Sequence, residues 1–189
     1  MAAPAQPTFF YDLGDPGSYV VAERIMAELP MVPEWEPVLG TDLGWTIPDP
    51  DADALAARVA AHGLQSLRMP RRWPPDSELA MRAATFAKGG GRAVAFSLAA
   101  FRQTFAAGRD LSDEGTVLIA AASCEMHPAA VLKAVTMRSV TDRLRAAAER
   151  ATAAGARALP AIQIGDELHA GPDALDDALA ALPVVRSGR

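Results

Sequence analysis

The stretch Phe9-Phe10-Tyr11-Asp12-Leu13-Gly14-Asp15-Pro16-Gly17-Ser18-Tyr19 leaves few backbone choices. Its aromatic start suits a buried strand. Gly14 breaks the strand. Asp15 is suited to be a helix N-cap and Pro16 to be the first helical residue. Val20, Val21, Ile25, Met26 and Leu29 follow at helical spacing. A strand that turns straight into a helix gathers free N–H groups and a positive dipole end at one point. Chemistry is therefore expected at Asp15 to Ser18.

The rest of the chain predicts a strand over Thr8–Asp12, a helix over Pro16–Leu29 and a second strand over Glu34–Leu39. That order makes the two strands parallel. Glycines and prolines mark Gly40–Asp51 as loop. Helices are expected over Asp53–Leu67 (or only as far as His62-Gly63), Ser77–Lys88, Arg92–Ala107, Ser112 or Asp113 to Cys124, a short one after His127-Pro128, and Val140–Ala154. Met69–Asp76 reads as a rigid linker. The period then changes. Pro160–Ile164 and Glu167–Ala170 read as strands around a Gly165-Asp166 hairpin turn, followed by a helix over Asp173–Leu182. The expected fold class is α/β: a thioredoxin-like fold (β-α-β … β-β-α) with an inserted all-helical subdomain. The expected division is a tail over residues 1–7, a thioredoxin-like domain over 8–50 and 157–185, and a helical insertion over 51–156.

Composition narrows the partners. Half of the 189 residues are hydrophobic but only 6% are aromatic, which suits closely packed, alanine-rich helices. A net charge of −5 argues against nucleic acid. Arg68, Arg71 and Arg72 sit among prolines and read as a loop anchor. The single cysteine, Cys124, excludes an internal disulfide and a Cys-Xaa-Xaa-Cys pair, and it fits a reducing cytoplasm. It reads as inert packing. No run reaches the roughly 18 apolar residues of a membrane span, and Met1–Thr8 has no secretory-signal pattern. His62, His127 and His169 lack metal-ligand spacing; His169 lies on a strand that runs toward the expected cleft. Trp45 is a candidate for lining that cleft, and Trp73 reads as linker packing.

These motifs carry a resemblance. The runs Phe10-Tyr11-Asp12, Asp15-Pro16-Gly17-Ser18-Tyr19, Pro37-Val38-Leu39-Gly40, Arg72-Trp73-Pro74-Pro75, Gly108–Asp113, Leu159-Pro160-Ala161 and Gly165–Leu168 occur in order, followed by Gly171 and Asp173. The chain resembles the DsbA-like thioredoxin superfamily, in its branch of 2-hydroxychromene-2-carboxylate isomerases and kappa-class glutathione transferases. The resemblance implies glutathione, or another low-molecular-weight thiol, bound at the start of the first helix. It implies catalytic roles for Asp15 and Ser18, and cofactor binding by Leu159, Pro160, Gly171 and Asp173, with Leu159-Pro160 as a cis-proline loop. It also implies a small-molecule substrate and a homodimer.

Three positions depart from that pattern. Asp15 stands where the family has serine, Leu43-Gly44-Trp45 where it has a lysine, and Ala174 where it has an arginine. An ionised Asp15 about 4 Å from a thiolate would cost about 4 kcal/mol at an effective dielectric near 20. The helix end returns only about 0.3–1 kcal/mol. A thiolate therefore requires Asp15 to be protonated or turned away. Two other readings stay open: a small-molecule-binding protein that has lost catalysis, and a thiol-disulfide oxidoreductase, which the missing cysteine pair disfavours.

Overall fold

A computed structural model describes residues 6–182. Residues 1–5 of the expected tail and 183–185 of the expected C-terminal segment lie outside the described residues. Pro7 is buried, and its carbonyl accepts the Glu34 N–H at 2.7 Å.

The chain opens with β1 (Thr8–Tyr11), α1 (Pro16–Glu28) and β2 (Glu34–Pro37). β1 and β2 pair in parallel, from Thr8 with Glu34 to Tyr11 with Pro37. A 3-10 turn, Gly40–Leu43, occupies the start of the stretch expected as loop. Its cap, Gly44, has φ +73°, a left-handed conformation that glycine adopts without strain.

Six helices follow: α2 (Ala52–Ala61), α3 (Glu78–Gly89), α4 (Ala93–Phe105), α5 (Glu114–Ser123), α6 (Pro128–Val135) and α7 (Arg138–Ala153). The helix expected over Asp53–Leu67 ends at Ala61, the earlier of its two expected ends. There Gly63 turns left-handed at φ +64°. α7 starts at Arg138, two residues ahead of the expected Val140. β3 (Ala161–Ile164) and β4 (Glu167–Ala170) form the antiparallel hairpin, with Gly165 at φ +60° in its turn. α8 (Ala174–Ala181) closes the fold.

The sheet order is β2-β1-β3-β4, with β3 antiparallel to β1. Alternation along β1 sends Phe9 and Tyr11 to one face and Phe10 to the other. On the first face, Phe9, Tyr11, Trp35 and Ile162 pack with Ile25 of α1, Phe101 of α4 and Leu175 of α8. The Tyr11 hydroxyl shares a 2.6 Å hydrogen bond with Ser97 Oγ, so its polar end is satisfied within this core. On the second face, Phe10, Val38 and Ala161 meet Ala147, Ala148 and Ala151 of α7. Those alanines let the helix sit close against the strands. This is the β-α-β … β-β-α arrangement expected, and it sets the N-terminus of α1 beside the residues that precede β3.

Candidate functional site

The site starts at the α1 cap. Asp15 is extended (φ −96°, ψ 120°), which ends the turn from β1 and frees its carboxylate for the helix. Oδ2 accepts the Ser18 N–H at 2.6 Å and the Ser18 hydroxyl at 2.7 Å. Oδ1 accepts only a long bond from the Gly17 N–H, at 3.3 Å. Asp12 lies in the same turn. Its Oδ1 accepts the Gly14 N–H and its Oδ2 the Gly40 N–H, both at 2.8 Å.

Both carboxyls are buried, and burial dominates their chemistry. It raises Asp12 above the ordinary carboxylate range against hydrogen bonds from Ser77, Gly14 and Gly40. It pushes Asp15 up to about 7, against the Ser18 and Gly17 hydrogen bonds and with some help from the Asp12 charge. Asp15 is thus close to evenly divided between acid and carboxylate at neutral pH. That meets the electrostatic requirement set by the sequence, because a protonated Asp15 does not repel a neighbouring anion.

Asp15 faces a cleft of about 360 Å³. Leu159, Pro160 and Gly171 line it from the opposite side, and Trp45, Leu55 and Arg58 close it. The Leu159–Pro160 peptide is cis, as the resemblance implies; Trp73–Pro74 is cis as well. A Cβ on Gly17 would lie 3.2 Å from Pro160 Cδ, so the glycine is what lets the helix start approach the proline loop this closely. Among the described residues, the Leu159 N–H and C=O take part in no hydrogen bond, whereas the Pro160 carbonyl accepts the Gly171 N–H at 2.8 Å. Asp15, Leu159, Pro160 and Gly171, far apart in the chain, therefore share one cavity.

Ser18 and Asp173 are placed differently. Ser18 is fully buried behind Asp15 and does not line the cleft; its hydroxyl donates to Asp15 and sits 3.4 Å from the Asp12 N–H. Asp173 is exposed beside the cleft, and its Oδ1 pairs with Arg58 Nη1 at 2.6 Å. Trp45 lines the cleft, as expected, and also walls a second cavity of about 260 Å³ that contains Asp12. Trp73 packs against the core instead. His169 lies outside the cleft, 3.9 Å from Glu167. The Cys124 thiol donates to the Ala120 and Ala121 carbonyls, and burial raises its pKa, as suits inert packing. Among the described residues no group of three or more potential ligands could hold a metal ion, and no helix is long and apolar enough to cross a membrane.

Sequence reasoning missed Arg58 and the burial of Asp12. The only available signal for Arg58 was its place one turn before the end of a helix whose one other charged residue is Asp53. For Asp12 it was the Asp-Xaa-Gly spacing that lets a carboxylate reach the N–H two residues on.

A family model described as DSBA-like thioredoxin domain matches residues 54–182. No curated protein sequence matches the chain. Among solved structures, a 2-hydroxychromene-2-carboxylate isomerase superposes with a TM-score of 0.80 at 16% identity, covering 93% of each chain. A probable DsbA oxidoreductase from Streptomyces coelicolor gives 0.75 at 21% identity, covering 94% of this chain and 88% of its own. The cytosolic disulfide reductase DsbM from Pseudomonas aeruginosa, solved with GSH, gives 0.68 at 14% identity, covering 93% and 96%. At these identities the likeness is one of fold.

Proposed function

Because the chain belongs to the family of DSBA-like thioredoxin domains, we propose that it is an isomerase or transferase of the 2-hydroxychromene-2-carboxylate isomerase and kappa glutathione transferase type. In this reading glutathione, or another low-molecular-weight thiol, occupies the cleft between the α1 start and the Leu159–Pro160 loop. The observation that carries it is the shared cavity: a carboxyl that can be neutral at pH 7 lines the same space of about 360 Å³ as Leu159, whose backbone N–H and C=O take part in no hydrogen bond among the described residues.

The residues present fit such a ligand. Leu159 supplies one backbone donor and one acceptor, the pairing a peptide-like thiol needs. Pro160 and Gly171 shape the wall. The thiol, when bound, supplies a sulfur nucleophile that adds reversibly to a conjugated substrate. Asp15 holds the proton. Oδ2 is occupied by the two Ser18 donors, so Oδ1, with only the long Gly17 bond, is the position for the proton. Taking a proton from a thiol of pKa about 8.5 is uphill by about 6 kcal/mol for an ordinary aspartate, but by only about 2 kcal/mol for one near 7. Asp15 becomes neutral in doing so, which removes the repulsion. Ser18 orients the carboxyl and stays out of contact with the ligand. Assembly as a homodimer and action in the cytoplasm belong to the same reading.

Thermal melting with and without glutathione tests it. A ligand at 100 times its dissociation constant adds about 2.7 kcal/mol. No shift at millimolar glutathione overturns the thiol site. Insulin reduction by the pure protein would favour the oxidoreductase reading instead.

A further inference from the structure

Among the described residues, Arg58 is the one cation lining the cleft. It comes from α2, on the insertion side, and it is held in place from one end only. Nη1 donates to the Pro172 carbonyl at 2.8 Å and pairs with Asp173 Oδ1 at 2.6 Å. Nε and Nη2 make no hydrogen bond among the described residues. They are not buried and orphaned either. Guanidinium is planar, so fixing Nη1 also fixes the plane of the Nε–Nη2 edge. That edge matches the two oxygens of a carboxylate.

The nearby acids do not occupy it. Asp51 caps α2 through the Ala54 N–H at 3.0 Å. Asp49 stands exposed on the rim, where water screens it. Asp15 turns its Oδ2 to the Ser18 N–H and hydroxyl and makes no hydrogen bond with Arg58. Asp173 makes its shortest approach to Arg58 at Nη1, and no hydrogen bond joins it to Nε or Nη2. Arg58 therefore has the usual hallmarks of a preorganised anchor: charge, a fixed plane and two unused parallel donors.

We propose that Arg58 is the residue by which this cleft selects ligands bearing a carboxylate, through a two-point contact with its Nε–Nη2 edge. The proposal rests on the thiol-cleft reading and adds to it the charge class of the ligand. Asp173 acts here as the positioning residue for Arg58.

Calorimetric titration of the full chain with glutathione and with glutathione diethyl ester tests this. The ester keeps the thiol and peptide but masks both carboxylates. The wild-type chain is expected to bind the acid at least about tenfold more tightly than the ester. Arg58→Gln is expected to erase that ratio while leaving ester binding within about threefold. Arg58→Lys keeps the charge without the fork and is expected to restore only part of the ratio. Asp173→Asn removes the charge that positions Arg58 and is expected to lower the ratio partway while leaving ester binding within about threefold. Equal binding of acid and ester by the wild-type chain overturns the proposal. So does equal loss of both ligands in Arg58→Gln, which would make Arg58 a latch for α2 and nothing more. If neither ligand binds the wild-type chain, the thiol reading itself fails and this inference falls with it. Lost preference and lost binding are thus separate results.

Discussion

Asp15 shows how one residue changes meaning with its surroundings. As a cap it is ordinary, satisfying the Ser18 and Gly17 N–H groups. Buried beside Asp12, it becomes a group that titrates near neutrality. Its folded pKa is raised, so the folded state binds the extra proton between the unfolded value near 4 and the folded value near 7. Stability from this group is full at low pH and is lost as pH rises through about 7. Asp15→Asn keeps a cap acceptor and removes the titration. The variant should melt higher than wild type at pH 8, by up to about 4 kcal/mol, and by only about 1–2 kcal/mol at pH 5. Melting curves across pH 5 to 8 check this; a wild-type curve that rises with pH would contradict it. Asp12 is also raised, so a residual slope of the same sign should survive in the variant. Under the proposed function, the same change should lower turnover by about 10²–10⁴ while glutathione still binds.

Between elements, charge is used in the opposite sense. Arg24 of α1 is almost entirely buried. Its Nε and Nη2 hold Glu28 bidentately, at 2.8 Å each, and its guanidinium also holds Asp176 of α8. Arg24 draws the carboxyls of both partners below their usual range, Glu28 and Asp176 alike. That stability is present above the unfolded carboxylate pKa and is lost as pH falls through the folded values. Arg24→Met should cost about 1–3 kcal/mol in urea unfolding at pH 7, since both carboxylates can still reach water. The cost should shrink below about pH 4. Arg24→Lys should recover little, because an ammonium cannot serve both partners with a fork. A second tie joins sheet to helices: buried Glu36 of β2 meets Lys88 of α3 at 2.6 Å and Arg150 of α7 at 3.0 Å. These ties hold α1 and β2 in place, and with them the mouth of the cleft.

At the scale of the molecule, the cleft lies where the two halves of the sheet's connectivity meet. α1 enters from the parallel pair, and the Leu159–Pro160 loop enters the antiparallel hairpin. α2 and Trp45 cover the gap, which makes the cavity a product of the whole chain order. The proposed homodimer has a surface to draw on at the link from α1 to β2, where Val32 is 69% exposed and Met26 is 46% exposed. Sedimentation at micromolar concentration should give about twice the chain mass of 19.8 kDa, and Val32→Glu should shift it toward the single-chain value. A single-chain mass for wild type would remove the dimer from the proposal.

Local chemistry was readable in the residues. Asp15-Pro16 starts α1, Gly165-Asp166 turns the hairpin, and Asp113 and His127-Pro128 begin their helices, because caps and tight turns act over two to four residues. The likeness of the motifs carried the fold and the pairing of Asp15 with Pro160. Tertiary structure alone decided the rest. It placed Ser18 behind the cleft, set Arg58 on Asp173 across the fold, and made Trp45 a wall between two cavities. It also raised Asp15 to near neutrality. Each of these depends on which groups lose water and which distant partners replace it, and desolvation is a property of the folded surroundings that no local run of residues specifies.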